Sequence, residues 1–140
     1  MTASFRDVRV GDAIPGVTWS VSRDDLSAYA DASGDRNPLH LDDEAARAVG
    51  FPGVIAHGML TMGRLASAVL GWAGDGAWLT RLRAQFRAPV FAGETVVCGG
   101  TVTSIDEQAR TVRLEVWATV ERDGQTQWPI RRGEAEVRFP

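Results

Sequence analysis

The spacing of apolar residues divides the chain near Gly76. Before it, apolar positions recur with helical spacing; after it, they alternate with period two. Residues 17–21 read as a short strand following a Pro15-Gly16 turn. Ser22, with Asp25 three positions on, has capping-box spacing. Leu26, Tyr29 and Ala30 then give a helical apolar face, and Gly34 stands where a C-cap glycine is expected. Residues 35–41 read as loop, because Asn37-Pro38 breaks a helix. Asp42 can cap a short helix through Ala48, closed by Gly50, and Pro52-Gly53 marks another turn. A longer helix is predicted from about Ile55 to Trp72, with Ile55, Met59, Met62, Ala66 and Val69 as its core stripe. Its many glycines and alanines permit close approach by whatever wraps around it.

Four strands are predicted in the second half. In residues 78–90, Leu82, Ala84, Phe86 and Ala88 share one face, and Arg81, Arg83, Gln85 and Arg87 the other. Residues 94–105 are largely β-branched, with Gly99-Gly100 marking a bulge or bend. In residues 111–121, Val112, Leu114, Val116, Ala118 and Val120 face inward. Asp123-Gly124 is a hairpin turn, and the returning strand points Ala135, Val137 and Phe139 inward. Sequential antiparallel strands with one apolar face need a cover. The long apolar helix is the element large enough to provide it. The predicted fold class is α+β: a curved antiparallel sheet wrapped around one long central helix, in a single domain spanning residues 1–140.

Composition narrows the chemistry. The 140 residues carry a net charge of −3, which does not favour nucleic acid as a partner. All 15 basic residues are arginine. The absence of lysine removes Schiff-base and Walker-A mechanisms that need one from this chain. The one cysteine, Cys98, excludes an internal disulfide and reads as a buried, inert thiol. No signal-like segment opens the sequence, and Arg64 inside the long apolar stretch argues for a buried helix rather than a membrane span. A cytoplasmic location, with no membrane partner, is the expectation.

The candidate chemistry lies in Ser33-Gly34-Asp35-Arg36-Asn37-Pro38-Leu39-His40. Asp35 and His40 are five residues apart, about 140° around a helix and on opposite faces of a strand. They converge only if the chain turns, which Asn37-Pro38 permits. A capping Asp and a surface His is the alternative reading. Asp35 also follows a helix C-terminus, whose dipole disfavours an ionised carboxylate. The second candidate is Gly58, beside His57 near the start of the long helix. Its N–H has no intrahelical partner and no side chain blocks it, so it could hold a carbonyl oxygen gaining negative charge. Alternatively, this glycine only lets another segment pack closely.

Tyr29 to His40, with Ala46, resembles the hydratase signature of the MaoC-like dehydratases and (R)-specific enoyl-CoA hydratases: an aromatic residue, then Gly-Asp-x-Asn-Pro-aliphatic-His. Ile55-Ala56-His57-Gly58-Met59-Leu60 resembles the family's second block. Ala32 departs from the pattern, which tends to carry a larger aliphatic residue there. The order of elements resembles the family's hot-dog fold over nearly the whole chain. It is particularly similar to the catalytic β-type subunit of two-subunit (3R)-hydroxyacyl-ACP dehydratases.

The resemblance implies reversible hydration of trans-2-enoyl thioesters to (3R)-hydroxyacyl thioesters. Asp35 and His40 match the catalytic pair, and Gly58 matches the backbone donor to the thioester carbonyl. Asn37 is expected to hold the loop, and His57 to be structural in the substrate-binding region. No metal or cofactor is implied, and the spacing of Asp35, His40 and His57 matches no zinc pattern. The implied substrate is an acyl-CoA or acyl carrier protein thioester. The Arg81, Arg83 and Arg87 face is a candidate docking surface, with Arg131 and Arg132 as a second; a solvated strand face is the alternative. The implied assembly is a homodimer, or a heterodimer with a related hot-dog subunit. Trp117, on the outward face of its strand, suggests a covered surface. Two rival readings are a hot-dog thioesterase and a non-catalytic acyl-binding accessory subunit.

Overall fold

A computed structural model describes residues 2–140. Five strands, β1 (Ala13–Ser20), β2 (Trp78–Arg83), β3 (Thr95–Asp106), β4 (Thr111–Arg122) and β5 (Gln125–Arg138), form one antiparallel sheet in the order β1-β3-β4-β5-β2. Three α-helices, α1 (Arg23–Ser33), α2 (Asp43–Ala48) and α3 (Gly58–Ala73), lie between β1 and β2 in the chain. α3 is the long helix, and the sheet curves around it. This is the hot-dog arrangement expected above.

Alternation in β4 builds the inner face: Val112, Leu114, Val116, Ala118 and Val120 are all buried. Ala135, Val137 and Phe139 continue it from β5, and Leu65, Ala68, Val69 and Ala73 of α3 close the core. Burial of such side chains removes apolar surface from water, the main stabilising term. The Asp123-Gly124 turn is formed as predicted, with φ of 53° and 75° at its two residues. Ser22 and Asp25 make the reciprocal capping box, and Gly34 ends α1 at φ 80°.

Several boundaries differ from the pattern-based expectation. The long helix begins at Gly58, not Ile55. Ile55 bridges Phe91, and the Ala56 N–H donates to the Val90 carbonyl at 2.7 Å, which holds these residues extended up to His57, the extended residue before the helix. The buried side of α3 is Thr61, Leu65, Ala68, Val69 and Ala73, whereas Met59 is 58% exposed. α3 is apolar around most of its circumference, so periodicity alone does not select its buried side.

Pro15-Gly16 lies inside β1, not before it. There β1 carries one extra residue between Ile14 and Val17 against Gly100 and Cys98 of β3. The Gly99-Gly100 pair is not itself the bulge. It allows close approach: a Cβ on Gly99 would meet the Trp117 ring at 2.9 Å, and one on Gly100 the Glu115 carbonyl at 2.9 Å. Part of the outward-facing Trp117 therefore finds its cover on Gly99.

β2 ends at Arg83 rather than running to Val90. Beyond it the regular ladder gives way to an isolated bridge from Phe86 to Ile130, and Pro89 has no N–H to donate. Phe86, expected on the inner face, is half-exposed at the mouth of a pocket. Residues 38–40 of the predicted loop form a short 3-10 turn (Pro38–His40).

Candidate active site

The loop after α1 is built by local hydrogen bonds. The Asn37 carboxamide oxygen accepts from the Leu39 N–H at 3.1 Å and so caps the 3-10 turn. The Asn37 backbone N–H donates to Asp35 Oδ1 at 3.2 Å. The turn brings His40 back toward Asp35, with 3.9 Å between Nε2 and Oδ2. Asn37 thus positions the loop, its side-chain oxygen being engaged by backbone.

His40 is held from its other side. Its Nδ1 lies 2.7 Å from the Ile55 carbonyl oxygen, which can only accept. The ring therefore donates from Nδ1, and in the neutral form the Nε2 lone pair faces Asp35. The separation of 3.9 Å is too long for a direct hydrogen bond. A gap of this length leaves room for one bridging water with bonds of about 2.8 Å to each group. The Ile55 carbonyl is a functional group that sequence reasoning missed; a main-chain acceptor leaves no residue signature.

His57 is almost wholly buried and organises the other two. Its ring stacks on His40 with centroids 3.8 Å apart, and Tyr29 packs against it at 4.7 Å. Nε2 donates to the Asp35 carbonyl at 3.0 Å, which ties the Asp35 loop to the start of α3. Among the described residues Nδ1 has no hydrogen-bond partner. Burial, with the nearby His40 adding to it against the Asp35 hydrogen bond, holds the His57 pKa below its ordinary 6.5.

This has a pH consequence. The unfolded chain takes up a proton at His57 near pH 6.5, while the folded protein resists it, so stability falls as pH drops below that point. Asp25 and Asp43 are held low first by the backbone N–H groups of Ser22 and Val54. Their contributions are lost only as pH falls below 3.8. Thermal melts from pH 8 to pH 5 are expected to show a declining Tm. That decline should be flattened in His57→Gln, which keeps a donor toward the Asp35 carbonyl. An unchanged slope in the variant would contradict the assignment.

Gly58 is the first residue of α3; the His57 carbonyl accepts from the Leu60 N–H at 3.1 Å, but no side chain of His57 caps the Gly58 N–H. Gly58 and His40 both line an apolar pocket of about 360 Å³, walled by Phe51, Ala56, Phe86 and Pro129. The structure also gives Gly58 a packing role: a Cβ there would meet the Phe86 ring at 3.0 Å. The packing reading of this glycine is thus met, and its place at the start of α3 is the one the carbonyl-binding reading requires. Asp35 is not part of the pocket lining and its side chain is half-exposed, while His40 is mostly covered.

Ligand atoms of Asp35, His40 and His57 lie within 4.8 Å of one another. The two imidazoles, however, are stacked with planes only 24° apart. One nitrogen of each ring is also tied to a main-chain carbonyl, His40 Nδ1 to Ile55 and His57 Nε2 to Asp35, so each ring has only its other nitrogen to offer an ion. Cys98 lies in the core, and burial pushes its thiol up, which leaves no nucleophile there.

Residues 9–123 match the family model of the MaoC-like domain. The chain belongs to the MaoC-like family. It is 34% identical over 138 residues to an (R)-specific enoyl-CoA hydratase of Rhodospirillum rubrum, covering 97% of this chain and 91% of the relative. It is 35% identical, again over 97% of its length and 83% of the relative, to a 3-hydroxybutyryl-CoA dehydratase of Methylorubrum extorquens. Among solved structures, the (R)-hydratase from A. caviae superposes with a TM-score of 0.85 at 29% identity, over 96% of this chain and 99% of that one. Among the described residues, no helix of this MaoC-like protein is long and apolar enough to cross a membrane.

Proposed function

We propose that this MaoC-like protein, as a single hot-dog domain over residues 1–140, adds water across trans-2-enoyl thioesters to give (3R)-hydroxyacyl thioesters, and catalyses the reverse dehydration. The observation that carries this is the facing of His40 Nε2 and Asp35 Oδ2 across 3.9 Å, beside a pocket that His40 shares with the α3 N-terminus at Gly58.

Hydration needs a water made nucleophilic, a proton for C2, and a place for the negative charge that develops on the thioester oxygen. Asp35 and His40 hold the water between two acceptors. As its oxygen attacks C3, one of them takes a proton and one proton is returned to C2. The Gly58 N–H, at the positive end of the α3 dipole, receives the enolate-like oxygen. Water addition changes no overall oxidation state, so no redox cofactor is required. Stacking against His57 and the bond to Ile55 fix the His40 ring, which reduces reorganisation during the reaction.

The same reading includes a second hot-dog subunit, a copy of this chain or a relative. β2 is an edge strand, and Trp78 at its start is 72% exposed. An open strand edge beside an exposed aromatic is a surface that proteins ordinarily cover.

Incubation with crotonyl-CoA tests the reading. Loss of the conjugated enoyl absorbance without release of free thiol supports a hydratase. Thiol release would instead indicate the thioesterase. Saturable acyl binding with no change in either signal, for the protein alone and with a related subunit, would indicate an accessory role.

A further inference from the structure

The two arginine clusters singled out in the sequence meet in one place. Arg81 and Arg83 of β2, Arg87 beyond it, Arg113 of β4 and Arg131 and Arg132 of β5 line a single cleft of about 540 Å³. Adjacent strand residues normally point to opposite faces, so Arg131 and Arg132 should not share one. They share it because β5 carries an extra residue here: Val116 pairs with Gly133 and Ala118 with Ile130.

Arg132 takes up the bulge at φ 56°. Among the described residues it is one of three non-glycine residues with positive φ, and the only one of them within a strand; Asp123 and Arg110 lie at turns. A neighbouring glycine, Gly133, is used for close approach to the Arg83 carbonyl. A side chain is thus kept at a position whose backbone favours none, and strain of this kind concentrates at functional sites.

The cleft retains free positive charge. Glu134 pairs with Arg83 at 3.9 Å and Glu136 with Arg113 at 3.1 Å. Among the described residues, Arg81, Arg87, Arg131 and Arg132 have no carboxylate partner within ion-pair distance, and Glu115 is the one remaining acid on the wall. Arg87 also lines the His40–Gly58 pocket, so the cleft adjoins the proposed acyl site. Its backbone N–H is fixed by the Pro129 carbonyl at 2.9 Å.

We propose that this cleft binds the phosphate groups of the nucleotide end of a CoA thioester, whose acyl end enters the adjoining pocket. This rests on the reading of the acyl site given above. Concavity favours a small polyanion over a folded carrier protein. A volume of this size suits a nucleotide-sized ligand, whereas a protein partner needs a broader, flatter contact. Guanidinium groups are suited to paired hydrogen bonds with phosphate oxygens.

Arg132→Gly tests it with little risk to the fold, because glycine accepts the backbone angle that arginine strains to hold. For crotonyl-CoA, KM is expected to rise about tenfold with kcat little changed, as for loss of one charge-assisted hydrogen bond. For the crotonyl thioester of N-acetylcysteamine, which has no nucleotide or phosphate, the two proteins should give equal rates. Equal effects on both substrates, or no effect on either, would overturn the proposal. So would a defect seen only with an acyl carrier protein thioester.

If neither protein turns over any thioester, calorimetry with adenosine 3′,5′-bisphosphate separates the two ideas. Binding by the natural protein, weakened in the variant, would retain the cleft while the hydratase reading fails. No binding would overturn the cleft assignment as well.

Discussion

His40→Ala and Asp35→Asn are each expected to lower kcat/KM by about 10²–10⁴-fold, the range for removing a positioned acid–base group. The geometry separates this from a folding defect. Asp35 is half-exposed at a loop, and Asn can still accept the Asn37 N–H that holds Oδ1. What Asn lacks is the charge facing His40 and the ability to take a proton. His40→Ala removes the lone pair and the stacking partner of His57 together, so it should also lower Tm modestly. His40→Gln provides the control: it refills part of the space but has no ring nitrogen lone pair to take a proton. Near-normal rates in all three variants would refute the role of the pair.

Gly58→Val is expected to cost about 10²–10³-fold in activity, comparable to losing one donor to a developing oxyanion. It should also cost about 1–3 kcal/mol of stability through overpacking. The stability loss follows from the Phe86 ring, which sits 3.0 Å from where a Cβ would stand. The two effects come apart in Gly58→Val/Phe86→Ala, where space for the branched side chain is restored. Stability is then expected to recover, measured by thermal melts. Activity should stay low, because the branched side chain still stands over the N–H that receives the thioester oxygen. Recovery of activity with stability would show that Gly58 serves packing alone.

The parts of the fold that were legible in the sequence are those set by local rules. Ser22 and Asp25, Gly34, Asp123-Gly124 and the alternation of β4 each answer to one or two neighbours, and the structure holds them as expected. The misreadings arise where distant segments decide. The extended conformation of Ile55 and Ala56 depends on Val90 and Phe91. The buried side of α3 depends on which face the sheet meets. The early end of β2 follows from the partners available on a bulged β5.

The candidate site divides in the same way. Asp35, Asn37, His40 and Gly58 carry side-chain or glycine signals, and the sequence points to them. The Ile55 carbonyl and the half-exposed Phe86 become visible only once the chain is folded. His57 lies between the two cases. It belongs to the second sequence block, yet its contacts with His40 and the Asp35 carbonyl come from tertiary packing.

The most direct test of the central claim is the stereochemical course of hydration. Crotonyl-CoA is incubated with the protein in deuterium oxide, and the product is analysed by chiral chromatography and mass spectrometry. The site as described predicts a (3R)-3-hydroxybutyryl thioester carrying one non-exchanging deuterium at C2, formed by the natural protein and not by His40→Ala. A racemic or (3S) product, or a free acid, would contradict it.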